Sequence, residues 1–167
     1  MRRLILMRHG ESERPAPGLE DFDRDLNDEG RAEAQRLGRA LVKAGLVPDL
    51  ALVSSARRTL GTWQGVAETF SAPVEAESER RLYAASASQI AQVVAEAGPR
   101  AKVIMVVGHN PGIHQYAIHL ARQADVAHTP LYEKFATGSA AVFELDKAGR
   151  PGLERVFEAK VLRGKVQ

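Results

Sequence analysis

Three apolar runs in this chain show no alternation with polar residues: Leu4-Ile5-Leu6-Met7, Leu50-Ala51-Leu52-Val53 and Val103-Ile104-Met105-Val106-Val107. A strand with one wet face alternates, whereas an unbroken run suits a strand covered on both faces, as in a parallel sheet. Helical repeats follow each run. Leu37, Ala40, Leu41 and Ala44 recur at helical spacing behind Asn27, an expected N-cap with Asp28 and Glu29 in the first turn. Leu60, Trp63, Ala67 and Phe70 mark a second helix with Ser55 as its expected cap. Ile90, Val93, Val94 and Ala97 follow a Ser86–Gln89 capping box, and Ile113, Tyr116, Ala117 and Leu120 follow Asn110 (N-cap) and Pro111 (N1). Residues 140–145 and 156–161 read as late strands forming a hairpin around the turn from Asp146 to Pro151. The expected fold class is therefore α/β: a single-domain three-layer sandwich over residues 1–167, with a mostly parallel central sheet flanked by helices.

Composition narrows the function classes. A chain of 167 residues with 44% hydrophobic and 26% charged residues has enough apolar surface for one substantial core. The net charge is +2, and the pI of about 9.1 reflects how few groups titrate between the carboxylates and the lysines. It does not supply the clustered basic face that nucleic acid needs, so no nucleic-acid partner is expected. With no cysteine, disulfides, thiolate metal sites and cysteine catalysis are excluded. No His pair stands at i, i+4, and His114, His119 and His128 read as solvated, so no metal and no cofactor are expected. No apolar stretch reaches membrane-spanning length and the first residues lack a signal-peptide pattern, so a cytoplasmic protein without a membrane partner is the expectation.

The polar residues that end the three runs carry the chemistry. Parallel sheets bind ligands beyond the carboxyl ends of their strands. Arg8, His9 and Gly10 stand at the first such end, Ser54 to Arg58 at the second, and Gly108-His109-Asn110-Pro111-Gly112 at the third. Taken alone, Arg8-His9-Gly10 reads as a strand end with solvated polar residues, and His109 reads also as a structural histidine in a tight turn. Arginine is electrostatically misplaced in the first turn of a helix, so Arg57 and Arg58 are either both solvated or at least one serves an anion. Together, two guanidiniums and two imidazoles around one crevice make a phosphate site. A long loop, Glu11 to Leu26, follows the first strand and lies over that edge, with Phe22 as a candidate anchor among acidic residues.

Arg8-His9-Gly10-Glu11-Ser12, the run from Ser54 to Trp63, and Val107-Gly108-His109-Asn110-Pro111-Gly112 together resemble the histidine phosphatase (phosphoglycerate mutase-like) superfamily. The short chain, Leu82 to Ser86 and Lys134 to Gly138 are most similar to its SixA-type phosphohistidine phosphatase branch. That resemblance implies the phosphoglycerate mutase-like fold and a metal-independent phosphatase. It implies that His9 attacks phosphorus and becomes a phosphohistidine that water hydrolyses, while Arg8, Arg58 and His109 hold the phosphoryl oxygens. The implied substrate is phosphohistidine on a partner protein in signal transduction. The alternatives are a small-molecule phosphomonoesterase and a non-catalytic phospho-binding module.

Departures from the family pattern bear on the details. The family's Ser-Pro-x-x-Arg stands here as Ser54-Ser55-Ala56-Arg57-Arg58, a register that assigns the phosphate role to Arg58 rather than Arg57. Gly61 replaces a usual Gln, and Pro15 replaces an asparagine that many mutase-like members carry. The acid of larger members has no clean match, and Glu79 is the nearest candidate acid. A missing acid matters less for phosphohistidine than for an ester, because an imidazole whose conjugate acid has a pKa of about 6.5 can leave with a proton from solvent.

Overall fold

The computed structural model describes residues 1–162, so the last five residues of the expected domain lie outside the described residues. Six strands, β1 (Arg3–Arg8), β2 (Leu50–Ser54), β3 (Glu75–Glu79), β4 (Val103–Gly108), β5 (Ala140–Leu145) and β6 (Pro151–Phe157), form one sheet in the order β3-β2-β4-β1-β5-β6. The first four are mutually parallel, and β5 and β6 close one side as the expected antiparallel hairpin. Five helices cover the faces: α1 (Asp28–Lys43), α2 (Arg57–Ala67), α3 (Ala87–Ala97), α4 (Gly112–Gln123) and the short α5 (Ala159–Leu162).

Alternate residues of each strand point to opposite faces. Leu4, Leu6, Leu52, Ile104, Val106 and Phe143 pack with the apolar sides of α3 and α4. Ile5, Met7, Ala51, Val53, Met105 and Val107 pack on the other face with Ala34, Leu37, Leu41 and Val66. Burial on both sides is the physical reason why the three runs carry no polar residue. The edge strand β3 is different: it reads Glu-Ala-Glu-Ser-Glu, and Arg100 pairs with both Glu75 and Glu77. Charge along an open edge discourages pairing with another chain.

The expected caps and faces are met in part. Asn27 accepts a hydrogen bond from the Gly30 N–H, and Ser86 and Gln89 form the full capping box. Ser55 does not cap α2; Ala56 stands at the N-cap and the Ser55 hydroxyl meets that of Ser78 at 2.8 Å. Nor does Asn110 cap α4, which begins at Gly112 with Pro111 at the N-cap, because the Asn110 amide donates instead to the Phe135 carbonyl at 2.9 Å. The α2 residues buried are Thr59, Thr62, Gly65 and Val66 with Arg58, while Leu60 is 42% exposed. α2 lies so close to α1 that a Cβ at Gly65 would stand 2.8 Å from that of Ala34, so its small-residue side is the packed one. β6 ends at Phe157 rather than running over 156–161, since Phe157 already pairs with Ala140, the first residue of β5. His114 is not solvated: its Nε2–H donates to the Leu131 carbonyl at 2.6 Å and its ring stacks on Phe135.

One backbone contact positions the carboxyl end of β1. A Cβ on Gly10 would lie 2.5 Å from the Gly30 carbonyl oxygen, and one on Gly30 would lie 2.0 Å from that of Glu11. The first turn of α1 thus touches the chain leaving β1 backbone to backbone. Gly30→Ala should therefore destabilise the fold by about 1–3 kcal/mol, as overpacking does in cores. Urea titration will read this as a lowered midpoint with unchanged slope; an unchanged midpoint would show that the two backbones can part freely.

Candidate active site

The carboxyl ends of β1, β2 and β4 lie side by side, with Val53 opposite Val107 and Arg8 opposite Gly108. This register brings together residues that are far apart in the chain. His9, Arg58 and His109 are 6%, 6% and 8% exposed, and the two imidazoles stand 5.3 Å apart between centroids. Nδ1 of His9 lies 2.7 Å from the carbonyl oxygen of Gly10. A carbonyl can only accept, so Nδ1 carries the hydrogen and Nε2 of the neutral ring keeps its lone pair.

Thr62 joins this turn to α2. Its hydroxyl accepts the Gly10 N–H at 3.0 Å and donates to the Arg58 carbonyl at 2.7 Å. Arg8 donates from Nη1 to the Phe135 carbonyl, and the Gly138 N–H reaches the carbonyls of Arg8 and His9. The fully buried Glu33 accepts the Glu11 N–H and the Thr137 hydroxyl, which locks the segment 135–138 against the end of β1.

The loop between β1 and α1 closes the site from above. The Glu13 N–H donates to Asp25, and the Asn27 N–H donates to Glu11, so the loop's ends are clipped together. Phe22 is the anchor expected of it, lying edge-on to the Tyr83 ring at 5.0 Å with the Arg80 guanidinium at 5.0 Å. Asp21 then meets Arg58 twice: Nη1 donates to its backbone carbonyl at 2.7 Å and Nη2 to its carboxylate at 3.0 Å. Tyr83 and Arg24 also donate to that carboxylate, at 2.6 and 3.0 Å, and the three together hold its pKa well below the usual carboxylate range.

Four buried nitrogens at this place have no hydrogen-bond partner: Nε of Arg8, Arg24 and Arg58, and Nδ1 of His109. Buried N–H groups are almost always paired, so three unpaired guanidinium N–H groups beside these imidazoles mark where an anion's oxygens belong. Burial, with Arg58, Arg8 and Arg24 adding positive charge, pushes His9 down to about 4, against the opposing pull of the Gly10 carbonyl. Burial, then His9 and Arg58, pushes His109 down to about 3. Both rings are neutral at pH 7.

Arg8, His9, Arg58 and His109 are thus brought together, and Arg57 is not: its side chain is 65% exposed and pairs with Asp25. Glu79 is not brought to the site either. It ends the edge strand β3 with its carboxylate bound to the Arg81 backbone and guanidinium, which hold it ionised, so it is unsuited to give a proton. Sequence reasoning missed Asp21, Arg24, Tyr83, Thr62 and Glu33. An arginine inside the acidic run from Asp21 to Asp25, in the loop after the first strand, was the signal for Arg24. A cleft of about 460 Å³ opens beside the site between Tyr83–Ser86, Gln89, Asn110–Gly112 and Gln115. Among the described residues no group of three His, Asp or Glu side chains is arranged to hold a metal ion.

Residues 4–83 match the family model of the histidine phosphatase superfamily (branch 1). The fold superposes on a crystal structure of a candidate phosphohistidine phosphatase SixA from Agrobacterium tumefaciens, with a TM-score of 0.83, 29% identity, and coverage of 94% of this chain and 97% of that one. An uncharacterised chloroplastic protein of Arabidopsis thaliana is 30% identical over 129 residues, 72% of this chain and 59% of that protein. A 2,3-bisphosphoglycerate-dependent phosphoglycerate mutase of an Arthrobacter species is 45% identical over 62 residues, 36% of this chain and 25% of the mutase. The chain spans less than two thirds of the length of either of these two relatives.

The lowered values have a sign that can be measured. The unfolded chain takes up protons on its histidines near pH 6.5, while folded His9 and His109 refuse them until about pH 4 and 3. Their contribution to stability is complete above pH 6.5 and is lost as the pH falls from there through those values. Glu33, raised by burial, acts in the opposite sense, so ring titration reads the effect more directly than global stability. NMR of the free protein should show neither ring titrating between pH 5.5 and 8. A midpoint near 6.5 for either would mean that the site is wet.

Proposed function

We propose that the chain, whose residues 4–83 match the histidine phosphatase superfamily, is a phosphatase acting on phosphohistidine of a partner protein through a covalent intermediate on His9. The observation that carries the reading is the set of three unpaired buried guanidinium N–H groups beside a neutral imidazole whose Nε2 lone pair is free. In this mechanism Nε2 of His9 attacks phosphorus in line, and the bond from phosphorus to the substrate's imidazole nitrogen breaks. The departing imidazole takes a proton from solvent. Water then attacks phosphorus, and phosphate leaves as Nε2 recovers its lone pair. Arg8, Arg58 and His109 hold the equatorial oxygens, where charge spreads during transfer, and Arg24 adds a further donor.

Leaving-group chemistry supports phosphohistidine over an ester. An alkoxide needs a positioned acid. Asp21 is held ionised by three donors and Glu79 by Arg81, so neither carries a proton to give. An imidazole needs no such acid, its conjugate acid having a pKa of about 6.5. Beyond Asp21, Arg58 and His109, the cleft presents the uncharged Ser86, Gln89, Asn110 and Gln115. That lining offers no second cationic grip for a bis-phosphate or a phosphoglycerate.

Turnover of a phosphohistidine-carrying protein should exceed that of a panel of small phosphate esters. Comparable or faster ester turnover would favour the phosphomonoesterase, and phosphate binding without any hydrolysis would favour the binding module. His9→Ala should abolish turnover together with an acid-labile, base-stable phosphate label on the quenched enzyme, read by mass spectrometry under alkaline conditions. A label on any other residue would contradict the mechanism. Arg58→Ala should cost about 10²-fold or more in kcat, as loss of a transition-state donor does. Arg57→Ala should stay within about 3-fold, because an exposed pair such as Arg57–Asp25 contributes little. Equal effects of the two substitutions would contradict the assignment of Arg58.

A further inference from the structure

Ser54, the last residue of β2, is fully buried, and its hydroxyl lies 2.7 Å from Nε2 of His109. The sheet fixes this meeting. Val53 pairs with Val107, so the next residues out of β2 and β4 emerge together. The Thr59 hydroxyl donates to the carbonyls of Ser54 and Ala56, which ties Ser54 to the same turn that carries Arg58. Neither the nucleophile nor the arginine clamp explains why a hydroxyl is needed there.

We infer that Ser54 is a positioning residue that donates its hydroxyl hydrogen to Nε2 of His109 and so holds the ring in the tautomer whose Nδ1–H faces the phosphoryl group. This rests on the reading that His109 binds a phosphoryl oxygen. A neutral imidazole has one N–H, and His109 is neutral throughout the physiological range, so its tautomer decides whether it attracts or repels an anion. If Nε2 kept the hydrogen, it would donate to Ser54 and turn the Nδ1 lone pair toward the phosphoryl oxygen. The Ser54 O–H would then also be buried without the partner it now has. With Ser54 as donor, Nε2 is satisfied, and the remaining Nδ1–H is the unpaired buried group found beside His9. The pairing resembles in logic the outer hydrogen bonds that set the tautomer of metal-binding histidines.

Long-range ¹H–¹⁵N correlation on the histidine-labelled full chain, with and without inorganic phosphate, reads the tautomer directly. His109 should carry its hydrogen on Nδ1 in the phosphate-bound wild type and shift toward the Nε2–H form in Ser54→Ala. Turnover by Ser54→Ala should fall about 10- to 100-fold in kcat with KM little changed, the pattern of a donor lost in the transition state. In a His109→Ala background the same substitution should cost less than about 2-fold. Ser54→Cys, with its weak S–H donor, should fall between serine and alanine. An Nε2–H ring in the phosphate-bound wild type would overturn the inference and leave the phosphatase reading standing. So would an undiminished cost of Ser54→Ala when His109 is already absent. The tautomer is read without turnover, so it stays decisive if the substrate is not phosphohistidine or if Ser54→Ala fails to fold. If instead the proposed function fails while Nδ1–H is seen, the wild type will bind phosphate without hydrolysing any substrate, or His9→Ala will keep full turnover.

Discussion

The carboxylate of Asp21 is the counter-charge on which this site depends. Arg58 is nearly inaccessible to water, Arg8 is half-buried with a buried Nε, and Arg24 keeps a buried Nε. Desolvating several guanidiniums in one place costs several kcal/mol per ion unless opposite charge and hydrogen bonds compensate. Asp21 supplies both. It accepts from Arg58, Arg24 and Tyr83, and it does so from a loop that is otherwise solvated. The compensation is incomplete by design of the geometry: Nη1 and Nη2 of Arg58 are engaged, while Nε is left unpaired beside the histidines. On the proposed reading, a phosphoryl group would meet a guanidinium already oriented, with a donor to spare.

Burial, helped by the neighbouring positive charge, also sets the histidines. Burial with arginines nearby keeps His9 and His109 neutral, which suits one as a nucleophile and makes the other's role depend on which nitrogen carries its hydrogen. Two small hydroxyl groups then do the orienting. Thr62 links the turn of His9 to the backbone of Arg58, and Ser54 meets the far nitrogen of His109. Both hydroxyls come from the segment that ends β2 and opens α2, so one stretch of chain aligns three of the site's groups.

Much of this was legible before any coordinates. The three unalternating runs predict strands buried on both faces, and β1, β2 and β4 are those strands, lying adjacent and parallel. Arg8, His9, Arg58 and His109 could be singled out because polar residues directly after such runs must sit at the ligand-binding edge. The choice of Arg58 over Arg57 came from motif register, and the structure gives its physical content: one side chain is buried at the site and the other is exposed. Asp21, Tyr83 and Glu33 were not legible, because their partners lie 37, 62 and 22 residues away in the chain. Glu79 fails for a different reason: it was the nearest match to the acid of larger family members, and that pattern said nothing of Arg81, two residues on, taking its carboxylate.

By itself, then, the sequence determined the order of the buried strands, the late hairpin and the four longer helices, the edge at which polar residues collect, and the side chains able to hold an anion. Those follow from local periodicity and from the identity of single residues. Tertiary structure decided the rest. It chose the face of α2 by the close approach of Gly65 to Ala34, which no hydrophobic pattern encodes. It decided which carboxylates are spent on arginines and which nitrogens remain unpaired. The physical reason is common to all of these. Desolvation and hydrogen-bond competition depend on what surrounds a group in space, and only the folded chain supplies those surroundings.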